Sequence, residues 1–350
     1  MKIRMIPCEE NASMKFTEEK KKAISRYILE KIAEGNPSVT RAVSETLEIN
    51  QNTVHSYITE MIEDGVITRK KRGEYELVKK TYEHRLIRAN GDLDSDMSAY
   101  HQFLGEILRN ETKNVQGIWE YAFSEMINNV MDHSCASEAL IRVIRDSLRT
   151  TVILTDNGVG IFRKIREYFN LESLDEAIEE LFKGKLTTDS LHHSGEGIFF
   201  TSRMMDDFLI LSDDKVFCIN KYDESTLTDI GMPTAGTLIY MNLSNTSNKT
   251  AKEIFDRFSD IDSGFTRTSI PLRNIYDSSP VSRSQARRLS HRLDRFEEVT
   301  LDFDGLEWMG QGFAHELFVV FAREHPGIRL LPVSMNDATE KMYRHVLADQ

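Results

Sequence analysis

The sequence predicts a multidomain chain of α+β and α/β parts, and three observations predict it. Roughly residues 16–80 carry three short helical patterns and then two strand patterns around a basic turn. Roughly 95–255 carry a helix with one apolar stripe, β-branched runs and glycine-rich turns. Roughly 265–350 alternate strand and helix patterns, the mark of a small layered α/β unit. A chain of 350 residues is long enough for two or three separate cores.

Composition narrows the function class. No apolar run approaches the ~20 residues of a membrane span. The first residues lack the apolar segment of a secretory signal, and Cys8, Cys135 and Cys218 are isolated and odd in number. A reducing cytoplasm is therefore the expected compartment, with no membrane partner. Net charge is −12, spread as +3 over residues 1–90, −14 over 91–264 and −1 over 265–350. The mildly basic first block suits nucleic acid and the acidic middle does not. There is no internal repeat or low-complexity segment.

In the first block, Ala23, Ile24, Tyr27, Ile28 and Ile32 fall on one helical face that ends at Gly35, and SVTRAVSETLEIN reads as a shorter helix. NQNTVHSYITEMIEDG opens on a capping Asn or Thr and places Val54, Tyr57, Ile58, Met61 and Ile62 together. VITRKKRGEYELV then reads as strand, basic turn with Gly73 and returning strand. This order resembles a winged helix-turn-helix. The resemblance implies DNA binding, with Asn50, Gln51, Asn52, Thr53, His55 and Ser56 at the start of the third helix near the bases. Arg69, Lys70, Lys71 and Arg72 at the wing tip would lie near phosphates. The competing reading is a winged helix used for protein contacts. The stretch 79–97, with Asn90-Gly91-Asp92, reads as a linker.

In the middle block, GIWEYAFSEMINNVMDHS repeats Trp119, Ala122, Phe123, Met126, Ile127 and Val130 at helical spacing. Glu125, Asn129 and Asp132 share one edge of that helix. TTVI leads into LTDNGVGI, where Asp156 is followed by Gly158 and Gly160. On its own this is an ordinary turn after a strand. In HHSGEGIFF, Gly195 and Gly197 precede another helix pattern, where backbone N–H groups can approach an anion. AGTLIYMNL reads as a strand opened by Gly236 and Thr237.

These segments, in this order, resemble the GHKL (histidine kinase-like, Bergerat) nucleotide-binding fold of type II topoisomerases, histidine kinases and anti-sigma serine kinases. EMINN matches its N box, DNGVG its first glycine box and SGEGI its second. The resemblance implies an α/β sandwich of a mixed sheet with helices on one face, binding ATP with Mg²⁺. Asp156 would accept a hydrogen bond from the adenine amino group, with Thr237 supporting it. Gly158 and Gly160 would let the backbone pass close to the nucleotide, and Gly195 and Gly197 would cradle the phosphates. Asn129 would hold Mg²⁺ through its side-chain oxygen. Glu125 would orient or deprotonate the attacking water. Residues 162–194 would be the lid, where Lys183 and Lys185 either reach phosphates or sit in a solvated loop, the reading the composition favours. His84 and His101 lack the acidic residue and Pro that follow a histidine-kinase phosphoacceptor, so a sensor kinase is not expected.

In the last block, residues 282–296 read as a helix with Ala286, Leu289, Leu293 and Phe296 inside. Strand VTLDF, a helix from about Gln311 to Glu324, strand IRLLPV and a final helix follow. The pattern resembles the STAS-like domains beside GHKL ATPases, related to anti-anti-sigma factors. Gly310-Gln311-Gly312 stands where those factors carry a phosphorylated Ser, so self-phosphorylation at the usual place is not expected. The whole reads as a cytoplasmic bacterial regulator. In it an ATP/Mg²⁺ switch with slow ATPase activity would couple a DNA-binding winged helix to a STAS-like surface for a protein partner, with homodimerisation open. The alternatives are a serine/threonine protein kinase acting on a separate partner, and a partner-binding protein with ATP as structural ligand.

Overall fold

The computed structural model describes residues 17–71, 73–93, 100–186, 195–220, 230–233, 235–260, 262–276 and 279–348. Arg72 and the 187–194 part of the expected lid lie outside the described residues. The chain forms two compact units, one of residues up to Lys80 with Asp146–Leu148, the other of Thr81–Arg145 with Arg149–Gln350. Among the described residues no helix is long and apolar enough to cross a membrane.

The first unit holds helices α1 (Glu18–Ala33), α2 (Val39–Leu47) and α3 (Gln51–Glu63), then an antiparallel hairpin of β1 (Ile67–Lys71) and β2 (Glu74–Leu77). Thr17 caps α1 and the Asn50 side chain caps α3, accepting from the Asn52 amide at 2.8 Å. Ile24, Ile28, Val43, Val54, Ile58, Met61 and Ile67 close one core. Ile62, grouped with that face by its spacing, is instead 38% exposed. Gly73, with φ of 81°, makes the hairpin turn.

The second unit begins earlier than the sequence reading has it. β3 (Lys80–Ile87) runs through the stretch read as a linker and forms the edge of a six-stranded sheet. Helix α4 (Lys113–Asn128) continues as a π-helical turn, Asn129–His133. Then come β4 (Glu138–Arg145), β5 (Arg149–Asp156), α5 (Ile161–Phe169), α6 (Leu174–Lys183), α7 (Gly197–Met204), β6 (Asp207–Ser212), β7 (Lys215–Cys218) and β8 (Leu238–Ser244). The strand order is β3-β4-β5-β8-β6-β7. The β4–β5, β5–β8, β6–β8 and β6–β7 pairings are all antiparallel.

Side-chain alternation separates the two faces of this sheet. Val152, Leu154, Phe208, Ile210, Ile239 and Met241 join the main core with Trp119, Phe123, Met126 and Ile127 of α4. Ile153, Leu209, Leu211 and Leu238, one residue out of phase, form a separate cluster. The expected lid also differs from a loop, because 161–169 and 174–183 are helical.

The unit continues through α8 (Ala251–Phe258), β9 (Arg267–Pro271), α9 (Arg283–Ser290), β10 (Glu298–Asp302) and α10 (Gln311–His315). The last of these runs on through a π-helical stretch, Glu316–Phe321, and a turn, Ala322–Glu324. β11 (Arg329–Val333) and α11 (Asp337–Ala348) complete it. β9, β10 and β11 pair in parallel, in that order. α9 stops at Ser290, short of the expected 296, because Arg292 takes a left-handed φ of 63°. Leu293 and Phe296 are buried all the same.

Candidate functional site

The floor of the candidate site is made by two neighbouring strands. Asp156 ends β5 and Thr237 precedes β8, and the Asp156 amide donates to the Thr237 carbonyl at 2.9 Å. The Asp156 side chain is only 5% exposed. Its Oδ1 accepts from the Gly158 amide at 2.7 Å, and the Thr237 backbone also donates to the carboxylate. Burial outweighs these donors and holds the carboxyl above the ordinary carboxylate range. The Thr237 hydroxyl accepts from the Ile161 amide at 3.1 Å, at the start of α5.

The turn after Asp156 is shaped by the protein's own backbone. A Cβ on Gly158 would stand 2.1 Å from the Ser134 carbonyl oxygen. Gly160, at φ of 83°, would meet Asp213 and Ser212. A Cβ on Gly236 would stand 2.1 Å from the Asp156 carbonyl oxygen. Asn157 secures the turn, its Oδ1 accepting from the Ser137 and Glu138 amides at 3.0 and 3.1 Å. These are close approaches of chain to chain, and they require glycine whether or not a ligand is bound.

One wall comes from α4 and its continuation. Asn129 opens the π-helical turn, and Arg88, at the end of β3, holds that region by donating to the Met131 and Ala136 carbonyls. The Asn129 amide nitrogen lies 4.0 Å from Met126 Sδ, which leaves Oδ1 as the atom with lone pairs for a cation. Glu125 lies one turn earlier, against the start of α7. A Cβ on Gly197 would stand 2.1 Å from Glu125 Oε2. Burial and the nearby Glu125 and Glu196 carboxylates together push the Tyr121 phenol far up. Gly184, Leu186 and Gly195 make another wall, and the Leu186 amide donates to the Gly195 carbonyl at 3.0 Å.

A cleft of about 210 Å³ gathers Glu125, Asn129, Asp156, Gly160, Gly195, Gly197 and Thr237 along its surface. Gly158 does not line it and packs beneath, against Ser134. Val130, Ile165, Ile198 and Ile239 supply apolar surface between the polar groups. Lys164, which the sequence reading missed, also lines the cleft, and its ammonium donates to the His133 carbonyl. Its place four residues after Gly160, on the first turn of the helix that the glycines open, is the signal that could have found it.

The donor set suits an adenine nucleotide. A buried acceptor at one end can receive an amino group, and apolar walls can hold a flat ring. The start of α7, with Lys164, offers N–H groups to an anion. Among the described residues no cluster of three or more His, Cys, Asp or Glu could hold a metal on its own. A Mg²⁺ ion here would take Asn129 Oδ1 and depend on the phosphates for further oxygen ligands.

Lys183 is not in a solvated loop. It ends α6, is 1% exposed and pairs with Glu180 at 2.6 Å. Lys185 Nζ donates to the Arg295 carbonyl at 2.7 Å. Neither lysine lines the cleft. Gly310 also receives a physical reason. A Cβ there would stand 2.5 Å from the Val281 carbonyl oxygen, and the Gly310 amide donates to the Pro280 carbonyl at 2.8 Å. Segment 280–281 thus packs against Gly310, while Gln311 stays exposed.

In the first unit, Gln51, Asn52, His55 and Ser56 are exposed on α3, while Thr53 is partly covered. The groove along this face, from Asn52 to Glu63, also carries Glu60. On the hairpin, Lys70 pairs with Glu76 at 2.6 Å and Lys71 with Glu74 at 2.8 Å. The Arg69 guanidinium lies over the Tyr75 ring at 5.9 Å.

Comparison with known proteins adds one finding. Residues 285–340 match the family described as a STAS-like domain of unknown function (DUF4325). No curated protein matches the chain. The matched segment runs from α9 into α11, so the C-terminal part of this chain carries a STAS-like domain.

Proposed function

We propose that this chain is a cytoplasmic regulator that binds ATP with Mg²⁺ in the cleft and hydrolyses it slowly. Bound and free states would couple a DNA-binding winged helix to the STAS-like domain. The observation that carries the reading is the buried Asp156 carboxylate at the floor of a cleft that Glu125, Asn129 and Gly197, at the start of α7, also line.

Each residue then has a task. Ionised Asp156 accepts only, so it favours a base with an amino group and rejects one with a carbonyl there. Asn129 Oδ1 presents a hard oxygen to Mg²⁺, which neutralises phosphate charge. The first N–H groups of α7 and the Lys164 ammonium hold the phosphates. Glu125 takes the proton of a water attacking the terminal phosphorus. The exposed start of α3 would face DNA, with Arg69 at the wing.

Incubation with γ-labelled ATP and Mg²⁺ tests the proposal. Free phosphate is expected, with turnover reduced ~100-fold or more in Glu125→Ala while binding persists. Label retained on a protein would favour a kinase, and binding with no turnover would favour a structural ligand.

A further inference from the structure

The cleft wall at 183–186 is held from outside the cleft. Gly184 and Lys185 both take left-handed backbone, with φ of 83° and 51°. Non-glycine residues hold such a conformation only where neighbours fix it. Here most of the polar neighbours belong to the STAS-like segment, with Thr268 of β9 just before it. Lys183 Nζ donates to the Arg288 and His291 carbonyls at 3.0 and 2.9 Å, closing the C-terminal end of α9. The Lys183 carbonyl accepts from the Thr268 hydroxyl of β9 at 2.7 Å. The Arg292 guanidinium donates to the Lys185 carbonyl at 3.0 Å, lies 3.5 Å from Glu180 Oε2 and stacks over Phe169 at 4.2 Å. Lys185 Nζ returns a bond to the Arg295 carbonyl and sits over the Phe296 ring at 4.9 Å.

Arg288, His291, Arg292 and Arg295 all fall inside the STAS-like match. The next residues along the wall, Gly184 and Leu186, line the cleft. We infer that the STAS-like domain positions the cleft wall, so that shifting segment 288–295 changes nucleotide affinity and nucleotide in turn tightens that segment. The affinity half rests on the nucleotide reading above. The positioning half rests on the contacts alone. Reciprocity follows from linkage, because one coupling free energy serves both sites. Arg292 is a positioning residue, since it touches the Lys185 backbone, Glu180 and Phe169 and does not itself line the cleft.

The test uses the full chain, with Arg292→Met, Arg292→Lys and Lys185→Ala. Amide hydrogen exchange is followed with and without a non-hydrolysable ATP analogue and Mg²⁺, and the analogue's affinity is measured. Without analogue, Arg292→Met is expected to speed exchange at residues 183–186 and leave α4 unchanged. Analogue affinity is expected to fall ~5-fold or more, within the range typical of such coupling, and Arg292→Lys to recover part of it. In the wild type, the analogue is expected to slow exchange across 283–296. Should Arg292→Met fail to fold, Lys185→Ala removes the bond to Arg295 and carries the same expectation. Unchanged exchange at 183–186 would overturn the inference. Faster exchange with unchanged affinity would overturn the coupling. If the wild type takes up no analogue, the nucleotide reading fails, and exchange alone decides the positioning claim.

Discussion

Asp156 combines two opposed demands. Burial holds its carboxyl above the usual range, although the Gly158 and Thr237 amides favour the ionised form. A carboxyl whose pKa is raised by folding binds its proton more tightly in the fold than in the unfolded chain. Stability is therefore lost as pH rises through the folded value. Asp156 weakens the fold at neutral pH, as an ionised acceptor kept for a ligand would. Asp156→Asn is predicted to raise the melting temperature at pH 7 while lowering ATP affinity at least ~10-fold, the loss that ~1.4 kcal/mol brings. The thermal gain should vanish below about pH 3, where the carboxyl is protonated in both states. A lower melting temperature at pH 7 would contradict this account of the residue. The sequence made Asp156 visible through its glycines, but not the reason for them. Gly158 answers to the Ser134 carbonyl and Gly236 to the Asp156 carbonyl, contacts that join distant parts of the chain.

At the scale of elements, helical periodicity was the readable signal. The stripe of α4, the cap of α3 and the turn at Gly73 all follow from local spacing and local chemistry. What local spacing could not show was set by partners. β3 looked like a linker because it is an edge strand with many exposed residues, lacking the apolar run of a central strand. Lys183 looked solvated because its burial depends on Glu180 and on carbonyls more than a hundred residues away. The π-helical turn at Asn129 left no sequence mark at all. The hairpin yields a prediction at this scale. Its lysines are partly neutralised by Glu74 and Glu76, which leaves few cations for phosphates. Affinity for duplex DNA should fall by roughly 10- to 50-fold between ~50 and ~200 mM salt, the dependence of two or three phosphate contacts. A salt-independent affinity would exclude phosphate contact by the hairpin, and binding to a protein alone would make the unit a protein contact.

At the scale of the molecule, the two units have separate cores, and the cleft and the STAS-like domain lie in the same one. The second unit holds the cleft. Its sheet brings Asp156 beside Thr237, α4 brings Glu125 and Asn129, and the STAS-like segment braces the remaining wall. The central claim is that this cleft is an adenine-nucleotide site, and the most direct test is a calorimetric titration of the full chain with ATP and with GTP in Mg²⁺, repeated on Asp156→Ala. The account predicts saturable ATP binding, GTP binding weaker by at least ~10-fold, and loss of ATP binding in the variant. Equal affinity for ATP and GTP, or ATP binding untouched by Asp156→Ala, would contradict it.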